Sequence, residues 1–170
     1  MRVLLSCCLA ALTLGAAARE TQLPVDVLQP FKRDLMAALQ AGLAEGPAAA
    51  IDACRLQAPV IAAQQQSQRI RVGRTSHRLR NPANAAPAWV APVLTAYLAE
   101  PADAAPRTVS LADGAAGYVE PIRLQPLCAT CHGRELAPDV ARRIDELYPD
   151  DQATGFAVGE LRGVFWVEQR

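Results

Sequence analysis

The chain reads as an α+β domain, with its helices gathered at the front and antiparallel strands behind them. Three observations predict this. Apolar residues recur at three-and-four spacing in three segments before residue 100. Beyond residue 107 the pattern shifts towards a period of two, in segments rich in Val, Ile, Phe and Trp. An Asp113-Gly114 pair then sits between two of those segments, where a hairpin needs its turn.

The elements follow in order. Residues 30–45 place Phe31, Leu35, Ala38, Leu39 and Gly42 on one helical stripe. Gly46-Pro47 breaks that helix, and Pro47 suits the first turn of the next. The second helix, residues 48–67, carries Ile51, Cys54, Ala58, Ile61 and Ala62 on one face. Arg55, Gln57 and Gln64 lie opposite, so Cys54 is expected to point inward. In residues 69–76, Ile70 and Val72 alternate with arginines, which predicts a strand with one wet face. Residues 80–84, Arg-Asn-Pro-Ala-Asn, form a turn by composition. A third helix over residues 87–99 has Trp89, Val90, Val93, Leu94 and Tyr97 as its stripe. Strands are expected at residues 108–112, 118–122 and 160–169, with a short helix at residues 138–147 stopped by Pro149.

The N-terminus predicts export. Met1-Arg2 is a short basic start, residues 3–17 are apolar and uncharged, and Ala16-Ala17-Ala18 offers a small-residue cleavage site. The apolar run is too short for a permanent membrane anchor. Leu5-Ser6-Cys7 loosely resembles a lipoprotein box, but too little apolar sequence precedes it. Removal of residues 1–18 leaves one domain, residues 19–170, of about 150 residues with a core of its own. Lys and Arg total 17 against 17 Asp and Glu, and loss of Arg2 changes this to 16 against 17. A balanced chain carries no electrostatic footprint for nucleic acid or an anionic membrane. No later segment approaches a spanning length, so a soluble, periplasmic or otherwise exported product is expected.

Of five cysteines, Cys7 and Cys8 fall in the leader, leaving Cys54, Cys128 and Cys131. Residues 128–132 read Cys-Ala-Thr-Cys-His, the C-x-x-C-H attachment signature of c-type haem. The spacing has a physical reason. Residues three apart share a face of a helical turn, so both thiols can meet the vinyl groups of one porphyrin, with His132 held below the iron as proximal ligand. Attachment outside the cytoplasm agrees with the leader. Three other uses of the motif compete. A thioredoxin-like pair belongs after a strand in a βαβ unit, and residues 121–126, with Pro at both ends, offer no such lead-in. Structural zinc wants four donors, commonly as two spaced pairs, and there is no second pair. A plain Cys128–Cys131 disulfide is the third. One motif predicts one covalent haem c. For the sixth iron position the residue types leave Met36, His77 and Cys54. Met36 reads as core filler, and His77 lies among Arg74, Arg78 and Arg80 as a solvated histidine would. Cys54, inward-facing and otherwise unexplained, is favoured over both without excluding them.

With these residues in view, the chain resembles a c-type haem domain family with a PAS-like fold and His/Cys axial ligation, long catalogued as a domain of unknown function. The likeness covers roughly residues 34–167. It is carried by residues 50–54 (Ala-Ile-Asp-Ala-Cys), 58–62 (Ala-Pro-Val-Ile-Ala), 73–76 (Gly-Arg-Thr-Ser) and 79–84 (Leu-Arg-Asn-Pro-Ala-Asn), followed by 128–133, 148–156 and 159–163 (Gly-Glu-Leu-Arg-Gly). The family often has Asp where this chain has Glu160. The resemblance implies a PAS-like antiparallel sheet behind N-terminal helices, one covalent haem, and Cys54 as the distal iron ligand. Arg74 and Arg80 are candidate partners for the haem propionates, since a buried carboxylate needs a charged partner.

Thiolate ligation favours ferric iron and a low potential, whereas a Met/His pair raises it. The expected function is therefore low-potential electron transfer with a redox partner protein. The alternative is a redox- or gas-sensing module, in which Cys54 yields its place to a small gas ligand and a separate partner transmits the change. A haem enzyme ranks last, for want of distal acid–base residues beyond His77.

Overall fold

The computed structural model describes residues 24–170; the expected leader, residues 1–18, lies outside the described residues. A helical hairpin opens the fold, α1 (Pro24–Ala44) and α2 (Pro47–Gln64). Then come β1 (Ile70–Thr75), α3 (Ala91–Ala99), β2 (Arg107–Ser110), β3 (Ala116–Arg123), α4 (Ala129–His132), α5 (Pro138–Leu147) and β4 (Leu161–Gln169). The strands form one antiparallel sheet in the order β1-β4-β3-β2. The α+β class expected from the sequence is the one observed.

Helix α1 runs six residues further forward than the periodicity suggested, straight through Pro30. Pro30 costs a backbone hydrogen bond in the helix interior. Val27, Leu28 and Phe31 offset it by burying one apolar stripe against Val72 and Val167 of the sheet. The hairpin closes tightly: a Cβ on Gly42 would stand 2.7 Å from the Ala50 Cα. On α2 the expected inner face holds, with Ile51 and Ile61 buried, Cys54 and Ala58 half-buried, and Leu56 and Val60 on the outside.

The sheet is covered on both faces, which corrects the expectation of a wet face on β1. Val72 faces α1, but on the opposite side Gly73 lies against Trp166, and Thr75 is buried. That second face packs on α3 through Val90, Val93, Leu94 and Tyr97, the stripe predicted for it. Only Arg71 keeps the expected exposure, stacking over Trp166 at 5.9 Å.

A second correction concerns the approach to the C-x-x-C-H motif. Strand β3 continues through Pro121 to Arg123, so a strand does lead in. Proline is tolerated because β2 pairs only as far as Val119, leaving Pro121 with β4 on one side alone. The context is antiparallel, not βαβ. Helix α5 packs beside the turn of the hairpin, with Val140 and Ile144 on Ile51 and a two-pronged Arg143–Asp52 ion pair outside.

Candidate functional site

Between the α1–α2 hairpin, the inner face of the sheet and α4 lies a cavity of about 720 Å³. That is within the ~300–1,000 Å³ range of small-molecule and cofactor sites. Cys54, Arg74, Arg80, Cys128, Cys131 and His132, distant in sequence, all line it. Met36 lines it too, at a part of α1 where 41% of the residue is exposed. His77 does not; it sits edge-on to Phe156, with ring centroids 5.7 Å apart.

The motif is built by a helical turn. Cys128 N–H donates to the Gln125 carbonyl at 2.9 Å, and His132 N–H to the Cys128 carbonyl at 3.0 Å. Cys128 and Cys131 thereby come one turn apart, both as free thiols. Gly133 ends the turn because nothing larger fits: a Cβ there would meet the Ala129 carbonyl oxygen at 2.4 Å.

A strap formed by residues 150–156 holds His132. Phe156 N–H donates to the His132 carbonyl at 3.0 Å, and Gly155 N–H to the Gly133 carbonyl at 2.8 Å. The imidazole Nδ1 lies 2.6 Å from the Ala153 carbonyl oxygen. A carbonyl only accepts, so Nδ1 carries the proton and Nε2 keeps its lone pair, the arrangement a metal-binding histidine needs. Burial, followed by the Arg162 and Arg80 charges, holds the imidazole well below its usual pKa, against the opposing pull of the Ala153 bond, so it stays neutral.

The strap is itself anchored by the loop after β1. Arg80 grips Asp151 with both prongs, Nε to Oδ1 at 3.0 Å and Nη2 to Oδ2 at 3.2 Å, and also donates to the Cys131 carbonyl at 2.7 Å. Asp151 Oδ1 in turn accepts the Ala153 N–H at 3.1 Å. Arg78 stacks over Phe156 at 4.3 Å and donates to the Gln152 and Thr154 carbonyls. Arg80, a candidate partner for a haem propionate, is thus already paired with a protein carboxylate through its Nε and Nη2. Arg74, on the cavity face of β1, has no protein acceptor among the described residues.

One site residue escaped the sequence reading. Arg162, at the head of β4, points its Nη2 at the His132 ring, 3.5 Å from Nδ1 and 3.3 Å from Nε2. Its Nε is sealed from solvent without a partner. Burial, reinforced by Arg74 and Arg80, pushes its pKa down to about 10. The available signal was its place in the Gly-Glu-Leu-Arg-Gly segment, 159–163. Across the cavity, burial raises the Cys54 thiol, while Arg74 and Arg80 pull it the other way. Burial likewise raises Cys131 and Tyr148.

The family pattern described as Tll0287-like matches residues 16–169, the whole described domain with the segment before it. The chain belongs to the Tll0287-like family. Among solved structures, the cyanobacterial heme-protein Tll0287 superposes with a TM-score of 0.59. It shares 23% sequence identity, over 86% of this chain and 94% of that one, and so shares the fold. No curated protein matches the chain. The Tll0287-like assignment agrees with the resemblance drawn from the separate sequence segments, and each of those segments borders the cavity or belongs to its strap.

Does this cavity suit a haem? Its walls are apolar, from residues such as Leu35, Leu39, Ile51 and Phe165. It offers paired thiols, a neutral histidine with an unprotonated Nε2, a third sulfur from α2, and the orphaned Nε of Arg162. That donor set fits a dianionic iron porphyrin attached through two cysteines. Among the described residues no group of three or more His, Cys, Asp or Glu side chains is arranged to hold a metal ion by itself.

Proposed function

We propose that this protein is an exported, mono-haem c-type cytochrome engaged in low-potential electron transfer. The observation that carries the reading is the His132 Nδ1–Ala153 bond at 2.6 Å, which leaves Nε2 unprotonated on a histidine lining the same cavity as Cys54, Cys128 and Cys131. In this reading Cys128 and Cys131 form the two thioether links, and His132 is the proximal ligand. Cys54 supplies a sulfur donor from the α2 side. A haem bound there supplies a one-electron couple, and a thiolate ligand sets that couple low.

The chain's own part is positioning. The strap fixes the imidazole tautomer and ring orientation through Ala153. Arg80 and Asp151 fix the strap. Leu35 and Leu39 of α1 and Phe165 of β4 give the cavity apolar walls. Leu127, 44% exposed and directly before Cys128, brings the attachment edge to the surface, where a redox partner protein can approach it. Export to the periplasm is part of the proposal; among the described residues no helix is long and apolar enough to cross a membrane.

One feature favours a second reading, redox or gas sensing through a separate partner. Cys54 shares α2 with Asp52, which is tied to α5 by Arg143, so loss of Cys54 ligation to a small gas ligand would be felt outside the cavity. Rapid reduction by a donor with Cys54 ligation retained supports electron transfer; displacement of Cys54 with movement of α2 supports sensing.

The test is the ferric and ferrous absorption and EPR spectra of the exported protein beside Cys54→Ala, with a pyridine haemochrome assay for the attached group. A low-spin thiolate signature lost in the variant is expected. An unchanged variant spectrum returns Met36, the other sulfur bordering the cavity, as distal ligand. A mature protein carrying no covalent haem overturns the reading.

A further inference from the structure

The cavity holds more positive charge than the protein neutralises. Its cationic side chains divide by what they already touch. Lys32 is paired with Glu120 at 2.5 Å. Arg71 lies 3.6 Å from Glu168, and Arg80 is gripped by Asp151. Arg78 and Arg123 donate to backbone carbonyls, of Gln152 and Thr154 and of Gly159 and Pro101. Two guanidiniums are left, Arg74 and Arg162.

Among the described residues, the Arg162 guanidinium meets the His132 imidazole alone. The Nδ1 of that ring is spent as a donor to Ala153, so Nε2 alone can accept. Ligation of His132 through Nε2 removes that acceptor, and Arg162 is then a guanidinium with a sealed Nε and no partner among the described residues. An unpaired cation in such a place is costly, and a carboxylate meeting its planar fork relieves it. Both arginines are held in place by backbone packing. Ser76 Oγ donates to the Arg162 carbonyl at 2.5 Å, and Gly163 allows the start of β4 to press on the Thr75 carbonyl, where a Cβ would stand at 2.1 Å. Arg74 sits one residue earlier on β1, paired with Phe165 of β4.

We infer that Arg74 and Arg162, and not Arg80, are the two anchors for the carboxylates of a dianionic tetrapyrrole in this cavity. The inference rests on the haem reading above. Arg80 is a positioning residue: it acts on His132 through Asp151 and Ala153.

The experiment compares wild-type holoprotein with Arg74→Gln, Arg162→Gln and Arg80→Gln. Resonance Raman reads the propionate bending mode, EPR reads the axial ligand field, and redox titration reads the midpoint potential. Arg74→Gln and Arg162→Gln are expected to shift the propionate mode and lower the midpoint, because each removes a cation that favours the reduced state. Arg80→Gln is expected to change the ligand field through His132 and leave the propionate mode in place. Arg162→Lys, which keeps the charge without the fork, is expected to shift the mode with a midpoint near wild type. This variant also serves where Arg162→Gln fails to accumulate. A wild-type propionate mode in both Arg162 variants, or a mode moved by Arg80→Gln alone, overturns the assignment. Wild-type protein without covalent haem overturns instead the reading on which it rests.

Discussion

Removing Asp151 tests the scaffold behind His132 most directly. The Arg80 and Asp151 side chains are only 12% and 6% exposed, and they meet through two contacts of 3.0 and 3.2 Å. Breaking one side of such a buried pair strands the other, at ~3–5 kcal/mol. Asp151→Asn keeps an oxygen for the Ala153 N–H, whereas Asp151→Ala also forfeits that bond, a further ~0.5–1.5 kcal/mol. With a urea slope of ~2 kcal/mol per molar, the Asn variant should unfold about 1.5–2.5 M earlier than wild type, and the Ala variant earlier still. The assay is urea denaturation followed by circular dichroism, with the slope required to stay constant. The double variant Arg80→Met/Asp151→Leu, which leaves no stranded charge, is expected to regain most of the loss. An Asp151→Asn protein within about 1 kcal/mol of wild type would refute the argument, because the pair would then behave as a solvated one.

Leu28, fully buried on the inner face of α1, should cost ~2–5 kcal/mol as Leu28→Ala by the same denaturation assay; a smaller loss would mean the turn before Pro30 is not part of the core. Gly133→Ala drives a methyl into the Ala129 carbonyl, so a loss of ~1–3 kcal/mol and a several-fold lower yield of attached haem are expected, read by denaturation and haem stain. Arg143→Ala, at an ion pair a third exposed and screened by solvent, should leave the urea midpoint close to that of wild type. His132 and His77 both have depressed pKa values, burial being the first cause in each, and an attachment-deficient Cys128→Ala/Cys131→Ala chain reads their effect without a haem. Unfolded histidines then bind protons that the fold refuses, so stability should be full above about pH 6.5 and fall as the pH drops below it. Comparing urea midpoints at about pH 7.5 and 5.5 checks this, and His132→Gln should shrink the difference.

Much of this arrangement is legible in the amino-acid sequence alone. Period and composition locate the main helices and strands, because each buries one stripe, and the inward face of Cys54 follows from the polar residues opposite it. Local pattern misleads where tertiary contacts decide. Nothing in residues 69–76 reveals that α3 covers the far side of β1, so Gly73 and Thr75 read as a wet face. Pro121 resembles a strand breaker, and only the shortness of β2 makes room for it. At the site, the motif announces Cys128, Cys131 and His132 because their spacing is local. Arg80 and Arg162 illustrate what spacing cannot convey. Whether an arginine is free depends on the carboxylate it meets, and Asp151 lies 71 residues from Arg80.

The position of β4 has a consequence for how the molecule is assembled. This strand follows every other element in the chain, yet it lies inside the sheet, pairing with β1 on one side and β3 on the other. Until it enters, β1 and the β2–β3 hairpin have no common neighbour, and Arg74 and Arg162 have not met. The helical hairpin and the Cys128–His132 turn rest on local contacts and can form early, whereas the sheet waits on pairings close to a hundred residues apart, as between Ile70 and Gln169. In that order of assembly the Cys128–His132 turn would be formed before β4 completes the sheet. The topology thus provides a period in which a bulky, planar group can be fitted from the side, before the last strand shuts the wall behind it.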